Sequence, residues 1–216
     1  MERDPEDLWD GEFGEEYTER NDLSVQEANE ISEQRFGVSR TERMERFLGS
    51  VDRDARILEV GTNIGTQLKC LESIGFENLY GIDIQKNAVQ KAHRTRPELN
   101  IIEGSADDIP FKDDFFDLVF TSVVLIHIPP ERIETVLDEV VRCTSEWVYG
   151  YEYFAEEYTE VQYRGHDELL WKTDFPSLYL ERFDLELVEK EFFEYQTDEY
   201  DNDTVDVEFL LRTPEA

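Results

Sequence analysis

The residues that first suggest chemistry are the glycines of the segment EVGTNIG, at positions 59–65. Gly61 and Gly65 follow an apolar run, RILEV, at residues 56–60. A strand, a glycine turn and a helix in this order bring backbone N–H groups close to a bound nucleotide. A dinucleotide fingerprint requires G-x-G-x-x-G, whereas its middle glycine is replaced here by Asn63. A side chain at that place crowds a pyrophosphate, so the turn favours a ligand without phosphates.

Three acidic residues stand at the ends of successive predicted strands. Glu59 precedes the turn and is suited to pair with an ammonium group. Asp83 follows Gly61 by 22 residues and can accept hydrogen bonds from both hydroxyls of a ribose. Asp107 lies in the segment GSADDIPF, where its carboxylate can accept a hydrogen bond from the amino group of an adenine. Each acid alone could equally be a helix cap, and the glycine turn a tight connection without a ligand.

A ligand with an adenine, a ribose, a cationic amino-acid end and no phosphate is S-adenosylmethionine. Its positive charge also suits a chain with 53 acidic and 21 basic residues. The residues predicted to contact this cofactor are Glu59, Gly61, Thr62, Asn63, Gly65, Asp83, Ile84, Ser105, Ala106, Asp107 and Thr121.

The elements that must position these residues alternate between strands and helices. Strands are predicted at 56–60, 78–84, 100–104, 116–124 and 147–154, and helices at 64–74, 86–95 and 130–143. Two more strands, at 185–195 and 204–211, are joined by a short acidic connection and predict an antiparallel pair at the sheet edge. The pattern predicts an α/β fold: a Rossmann-like, doubly wound sheet of seven strands, mostly parallel, with helices on both faces.

The region before this alternation predicts two short helices, at 24–36 and 39–48, with Ser24 and Ser39 as caps. Residues 1–50 are therefore expected to form an N-terminal helical arm or lid, and residues 51–216 the cofactor-binding domain. Trp9, Phe13 and Arg20 belong to this arm, which either packs as a structural extension or closes over the cofactor.

The net charge of −32 is spread over the whole chain, and only six of the 21 basic residues are Lys. A globular chain with such a surface is typical of a high-salt cytoplasm, where ions screen the self-repulsion. The sequence shows no basic stripe or pocket, which disfavours nucleic acid as a partner. No apolar run approaches the length of a membrane span, and the acidic N-terminus argues against secretion. Oligomeric state is not predicted.

The run ILEVGTNIG, followed by YGIDI, GSADDIPF and FDLVFTSVVLIHI, resembles class I S-adenosylmethionine-dependent methyltransferases over residues 55–155. By position, Glu59, Gly61 and Gly65 are similar to the first motif of that family, Asp83 to its ribose-binding acid and Asp107 to its adenine-binding acid. The first motif often reads G-x-G, and Asn63 departs from it. The resemblance implies transfer of a methyl group to an acceptor.

A second resemblance concerns residues 8–21, LWDGEFGEEYTERN. They are similar to the W-x-G-x-F-G-x-x-Y-x-x-R-N pattern that opens methylases associated with pseudaminic acid biosynthesis, and residues 171–189 resemble a later segment of that family. This resemblance implies a small-molecule acceptor, a nine-carbon sugar acid or a related compound.

The acceptor itself leaves few traces in the sequence. His127, at the end of the fourth strand, is the candidate catalytic base, although a partly buried His bonded to a loop fits the same pattern. Candidate substrate contacts are Trp9, Phe13, Arg20, Tyr151, Arg164 and His166. The three His are widely separated and no paired cysteines occur, so no metal site is predicted.

Two other functions remain open. A nicotinamide-dependent oxidoreductase on a similar sheet would predict a third glycine and a Tyr/Lys pair, and neither is found. A binding protein that keeps the cofactor pocket without an acceptor site would bind S-adenosylhomocysteine and show no turnover.

Overall fold

The computed structural model of the protein describes residues 8–9, 11–196 and 204–214. Three helices precede the sheet: α1 (Glu12–Arg20), α2 (Val25–Phe36) and α3 (Arg40–Phe47). The alternating part comprises β1 (Arg56–Val60), α4 (Thr66–Ser73), β2 (Asn78–Asp83), α5 (Lys86–Thr95), β3 (Asn100–Glu103), β4 (Phe116–Ser122), α6 (Pro130–Cys143) and β5 (Thr144–Phe154). The last part comprises β6 (Thr159–Glu160), β7 (Trp171–Lys172), α7 (Phe175–Arg182), β8 (Glu186–Glu194) and β9 (Val205–Arg212).

Seven strands form one sheet in the order β3-β2-β1-β4-β5-β9-β8. The first five are parallel, and β9 runs antiparallel to both β5 and β8. This arrangement confirms the predicted doubly wound sheet with an antiparallel hairpin at its edge. The strand order reverses between β1 and β4, so a crevice for ligands opens beyond the carboxyl ends of these two strands.

Helices cover both faces of the sheet because each buried strand presents apolar side chains on both sides. On one face, α2 to α5 pack against strand residues such as Ile57 and Phe120. On the other face, α6 and α7 pack against Leu58 and Val119. Ala28 of α2 and Phe47 of α3 belong to the first of these cores. Within the predicted N-terminal arm, α2 and α3 are therefore packed into the same core as the sheet.

The helix starts follow from local chemistry. Ser24 and Ser39 accept hydrogen bonds from the backbone N–H of Glu27 and Glu42, whose carboxylates bond back to the serines as capping boxes. Both predicted caps are confirmed. Helix α4 begins at residue 66, two residues later than predicted, because Gly65 before it has the left-handed φ of 82°. Strand β4 ends at residue 122 rather than 124 because the next residue leaves the extended region.

Helices α1 and α7 were not predicted from their sequences, which show no clean apolar period. The acidic connection predicted between the last two strands lies largely outside the described residues. In the described part of the chain, no helix has the length and apolarity that crossing a membrane requires.

Candidate active site

The turn after β1 contains three residues in the left-handed region: Gly61 at φ 71°, Asn63 at φ 51° and Gly65 at φ 82°. A Cβ on Gly61 would lie 2.6 Å from Cγ2 of Val124, so only glycine lets the loop after β4 approach the turn this closely. The N–H groups of Gly61 and Thr62 both donate to the carbonyl of Ile82 at 2.9 Å. The turn is thereby fixed to the end of β2.

Asp83 ends β2 and faces the turn from the neighbouring strand. One carboxylate oxygen accepts the backbone N–H of Asn63 at 2.6 Å, and the other accepts that of Gln85 at 2.8 Å. Each oxygen keeps a further lone pair for another donor. Burial raises the pKa of Asp83 to about 6. The carboxylate is therefore held in place and still able to accept hydrogen bonds from a diol.

Glu59 lies on the other side of the turn and is only 2% exposed. Its carboxylate accepts a hydrogen bond from Oγ1 of Thr62 at 2.6 Å. Burial raises the pKa of Glu59 to about 8, and the charge of Asp83 adds to this rise while those of Arg40 and Arg96 oppose it. At neutral pH the site thus holds a mostly protonated carboxyl that a cation would ionise.

Helix α1 lies on the turn and is held there by hydrogen bonds. Oγ1 of Thr18 donates to Oε1 of Gln85 at 3.2 Å and accepts from Nδ2 of Asn63 at 2.8 Å. A Cβ on Gly14 would lie 1.9 Å from the carbonyl oxygen of Trp9 and 2.7 Å from Oε1 of Gln85. Gly14 therefore lets the helix backbone reach the end of β2.

His127 sits in a short 3-10 turn after β4. Its Nδ1 donates to the carbonyl of Leu169 at 2.7 Å, which leaves the lone pair on Nε2. The rings of Trp9 and Tyr163 lie 4.6 and 5.3 Å from the imidazole, centroid to centroid. Burial lowers the pKa of His127 to about 4, so the ring is neutral at physiological pH and a weak base.

The loop that carries His127 contains a strained residue and is hydrogen-bonded to β5. Val123 has φ 60°, which is costly for a β-branched residue. Its N–H donates to the carbonyl of Tyr151 at 2.8 Å, and the N–H of Val124 donates to the buried carboxylate of Glu152 at 3.0 Å. These bonds to β5 maintain the conformation of the loop.

These groups surround one cavity of about 600 Å³ at the switch point of the sheet. Of the predicted site residues, the structure brings the following to its wall: Trp9, Arg20, Glu59, Gly61, Thr62, Asn63, Asp83, Ile84, Ser105, Ala106, His127, Tyr151 and Arg164. The glycine turn and the ends of β1 and β2 form one part, and the loops after β4 and β5 another. The cavity can hold a nucleoside-sized ligand beside a second small molecule.

The other five predicted residues do not line the cavity. Gly65 serves packing instead, since a Cβ there would lie 2.7 Å from Cδ1 of Leu99. Asp107 turns to Arg132 and accepts the hydroxyl of Ser105 at 2.6 Å. Thr121 is 1% exposed and hydrogen-bonds to the carboxylate of Glu152.

Phe13 and His166 lie behind Trp9 and Tyr163, the aromatic residues that line the cavity near His127. Phe13 packs edge-on against Trp9 at 5.1 Å, and the ring of His166 lies 5.5 Å from that of Phe13. Both residues therefore support Trp9 and Tyr163, which themselves face the cavity.

The charge of the cavity wall could not be read from the sequence. Two carboxyl groups, Glu59 and Asp83, line it together with five arginines: Arg20, Arg35, Arg40, Arg132 and Arg164. The arginines come from distant parts of a strongly acidic chain, which is why no basic cluster is visible in sequence. The segment RFGVSR, with one arginine on each side of the turn at Gly37, is the one local sign of this clustering.

Several uncharged residues of the wall were also missed, among them Gln67, Gln85, Ser122 and Tyr195. Gln85 could have been found, because it stands two residues after the predicted ribose acid. Within residues 8–9, 11–196 and 204–214, no group of His, Cys, Asp and Glu side chains could hold a metal ion.

Residues 58–146 match a protein-family model described as a methyltransferase domain. A sterol methyltransferase-like protein of Botryococcus braunii is 28% identical over 108 residues, 47% of this chain and 27% of that protein. An uncharacterized methyltransferase of Synechocystis is 34% identical over 62 residues, 29% of each chain. The chain spans less than half the length of the curated relatives that it matches.

Solved structures show the same fold. Magnesium protoporphyrin IX methyltransferase from Synechocystis, solved with bound S-adenosylmethionine, has a TM-score of 0.69 at 14% identity, covering 99% of both chains. A S-adenosylmethionine-dependent methyltransferase from Methanosarcina mazei has a TM-score of 0.66 at 16% identity, covering 81% of this chain and 98% of that one. Residues 58–146 are therefore similar to a methyltransferase domain, and the chain shares the Rossmann-like fold of these solved structures.

Proposed function

We propose that the protein transfers the methyl group of S-adenosylmethionine to a small anionic acceptor. The observation that carries this proposal is the composition of the cavity wall. One wall combines the glycine turn and Asp83 with five arginines, in a chain whose net charge is −32. Arg20 and Arg132 already pair with Glu16 and Asp107. The positive charge that remains in the wall favours an anionic group, which the cofactor and the acceptor can both supply.

The cavity fits the cofactor at the glycine turn. Asp83 would accept the ribose hydroxyls, and Glu59 would face the cationic amino-acid end. Ser105 and Ala106 would flank the adenine. Asp107 forms an ion pair with Arg132 and accepts a hydrogen bond from Ser105, so it would influence the adenine only through Ser105. When bound, the cofactor supplies an activated sulfonium methyl group for in-line transfer.

The acceptor would lie on the side of His127, Tyr151 and Arg164. The resemblance of residues 8–21 to methylases associated with pseudaminic acid biosynthesis favours a sugar acid, and the arginines favour its carboxylate. Arg20 and Arg164 are the candidate contacts for this group. A sugar acid is also small enough for the space that remains beside a nucleoside.

Alignment and exclusion of water are what the protein must contribute to such a transfer. Trp9, which precedes α1, and Tyr17 of α1 line the cavity. Burial raises the pKa of Tyr17 to about 12, so that its phenol stays neutral. His127 offers the lone pair of Nε2 to the acceptor. Since its conjugate acid is strong, it would orient a hydroxyl more effectively than it would remove the proton.

Ligand binding and turnover distinguish this proposal from the two alternatives, a nicotinamide-dependent oxidoreductase and a non-catalytic binding protein. S-adenosylmethionine, S-adenosylhomocysteine and NAD are titrated in parallel into the protein in molar potassium chloride. We expect micromolar binding of the two adenosyl ligands and none of NAD. Asp83→Ala should abolish this binding, whereas Glu181→Ala, on the exposed surface of α7, should not. Binding of NAD alone would indicate an oxidoreductase.

Turnover is then followed as release of S-adenosylhomocysteine with sugar acids such as N-acetylneuraminate and glucuronate. Methylation of an acid, and not of its neutral methyl ester, supports the proposed acceptor class. Tight binding of the cofactor without turnover on any of these acids would favour a non-catalytic binding protein. The cytoplasm as location stays a prediction from charge and from the two unpaired cysteines.

A further inference from the structure

A buried carboxylate bonded to two tyrosines adjoins the part of the cavity proposed for the acceptor. Asp206, on β9, is fully buried. The hydroxyls of Tyr151, in β5, and Tyr195, directly after β8, both donate to its Oδ2, the second at 3.1 Å. The two phenol oxygens therefore lie around a single carboxylate atom. Both tyrosines line the cavity, so they stand between Asp206 and a bound molecule.

The direction of these hydrogen bonds decides what Tyr151 can offer to a ligand. An ionised carboxylate only accepts hydrogen bonds, so the phenol uses its one proton in the bond to Asp206. Its oxygen keeps a lone pair, which can accept a hydrogen bond from a hydroxyl group. A hydroxyl bound at Tyr151 would therefore be connected to the buried carboxylate through one phenol.

Basicity separates Asp206 from the other groups on this side of the cavity. Burial raises the pKa of Asp206 to about 6, and the hydrogen bonds from Tyr151 and Tyr195 oppose this rise. At pH 7 the carboxylate is ionised, and it is a stronger base than His127, whose pKa is about 4. Burial and the charge of Asp206 raise the pKa of Tyr151 well above its usual value, so this phenol stays neutral and is no base by itself.

The elements packed around Asp206 favour its ionised form. The positive charges of Arg43, on α3, and Arg35, on α2, lower its pKa. Arg43 itself pairs with Glu208 at 2.8 Å, two residues further along β9. The charged and titratable groups that face Asp206 from these elements and from β5 are Arg35, Arg43, Tyr151, Tyr153, Tyr195 and Glu208.

We propose that Asp206, acting through Tyr151, takes the proton of an acceptor hydroxyl during methyl transfer. As the hydroxyl oxygen bonds to the methyl carbon, the bond from that carbon to sulfur breaks and its electron pair stays on sulfur. The hydroxyl proton passes to Oη of Tyr151, whose own proton passes to Oδ2 of Asp206, so the phenol ends neutral. This inference rests on the proposed function. It adds that the methyl group goes to a hydroxyl, since a carboxylate acceptor has no proton to lose.

The first test compares Tyr151→Phe with Tyr149→Phe as the matched control. Tyr149 is also buried in β5 and donates to a buried carboxylate, that of Glu208, but it does not line the cavity. At saturating cofactor, kcat with N-acetylneuraminate should fall at least about 100-fold in Tyr151→Phe and stay within about twofold in Tyr149→Phe. In calorimetry, only Tyr151→Phe should weaken N-acetylneuraminate, about 3- to 10-fold, in the complex with S-adenosylhomocysteine. Both variants should bind S-adenosylhomocysteine like the wild-type protein.

The second test concerns the carboxylate. In the wild-type protein, kcat at saturating cofactor should rise about fivefold from pH 5 to pH 6 and level off above pH 7, because Asp206 must be ionised. Asp206→Asn can still accept the hydroxyl of Tyr151 but cannot take its proton. We expect this variant to lose about 100-fold in kcat at pH 7 together with the rise. The product should be a methyl ether, which survives mild alkali, whereas a methyl ester does not.

Four outcomes would overturn the inference. Equal losses of kcat in the two phenylalanine variants would make the bond to Asp206 structural, and this comparison decides even if Asp206→Asn fails to fold. An affinity for N-acetylneuraminate that Tyr151→Phe leaves unchanged would remove Tyr151 from the acceptor site. A pH profile that Asp206→Asn retains would exclude this carboxylate, and an alkali-labile ester would remove the need for a base. Binding of S-adenosylhomocysteine without turnover of any acid by the wild-type protein would instead refute the proposed function, and the inference with it.

Discussion

We predict that binding of the cofactor releases the proton of the Glu59 carboxyl group. In the ligand-free protein, burial raises the pKa of this carboxyl to about 8. At pH 7 it is therefore protonated in about nine molecules of ten, since its pKa lies one unit above the pH. The ammonium group of S-adenosylhomocysteine stabilises the ionised form and so lowers this pKa. Binding at pH 7 should release close to one proton.

The magnitude of the pH effect follows from the same values. Between pH 6 and pH 7 the ionised fraction of Glu59 rises about tenfold, so the association constant should rise about tenfold as well. The rise should flatten above pH 8, where the carboxyl is already ionised. Asp83, with a pKa of about 6, adds at most a further factor of about two in this interval because it is already half ionised at pH 6.

Calorimetric titration in two buffers with different ionisation enthalpies measures the number of protons released. We expect about one for the wild-type protein at pH 7 and close to zero for Glu59→Gln. Thr66→Ser, a conservative change at the start of α4, serves as a control that keeps the proton release. The reasoning about Glu59 would be refuted if the wild-type protein bound the ligand with the same enthalpy in both buffers.

Three further changes test other parts of the structure. Asp83→Asn should weaken S-adenosylhomocysteine about 10- to 100-fold in calorimetry, because a charged acceptor of two hydroxyls is lost; unchanged affinity would exclude the ribose role. Gly14→Ala should weaken the binding of S-adenosylhomocysteine about tenfold, because the added Cβ pushes α1 away from Gln85. This loss is expected even though alanine favours a helix more than glycine does. Glu16→Ala on the same helix should leave the affinity unchanged. Gly150→Ala places a Cβ 2.2 Å from the Phe209 ring, and chemical denaturation should show a loss of about 1–3 kcal/mol.

Much of the fold could be predicted because its determinants are local. The strand at residues 56–60 and the helices at 86–95 and 130–143 have the bounds expected from sequence. Apolar runs between glycines specify buried parallel strands, and the alternation of strands and helices leaves few possible connections. The glycine turn and Asp83 were predicted for the same reason, since motif and spacing lie within one β-α-β unit.

The rest depends on contacts between distant parts of the chain. Asp206 and Glu208 alternate with apolar residues on β9 and would be expected to face solvent, yet both are fully buried. Glu208 pairs with Arg43 of α3 at 2.8 Å, and Asp206 accepts the hydroxyl of Tyr151. These partners lie 165 and 55 residues away, so no local pattern reveals them. Arg35, Arg40 and Arg132 of the cavity wall were missed for the same reason, whereas Arg20 and Arg164 were among the predicted substrate contacts.

The contacts of α1 have a kinetic consequence. The bonds from Thr18 to Gln85 and Asn63 close the helix over the turn that would hold the cofactor. With the proposed function, we expect S-adenosylhomocysteine to leave only after both bonds break and Trp9 separates from His127. We expect this opening, on the timescale of lid motions, to limit each catalytic cycle more than the transfer of the methyl group. Thr18→Val should then shorten the residence time of the product and show a higher rate per active site, at the expense of cofactor affinity.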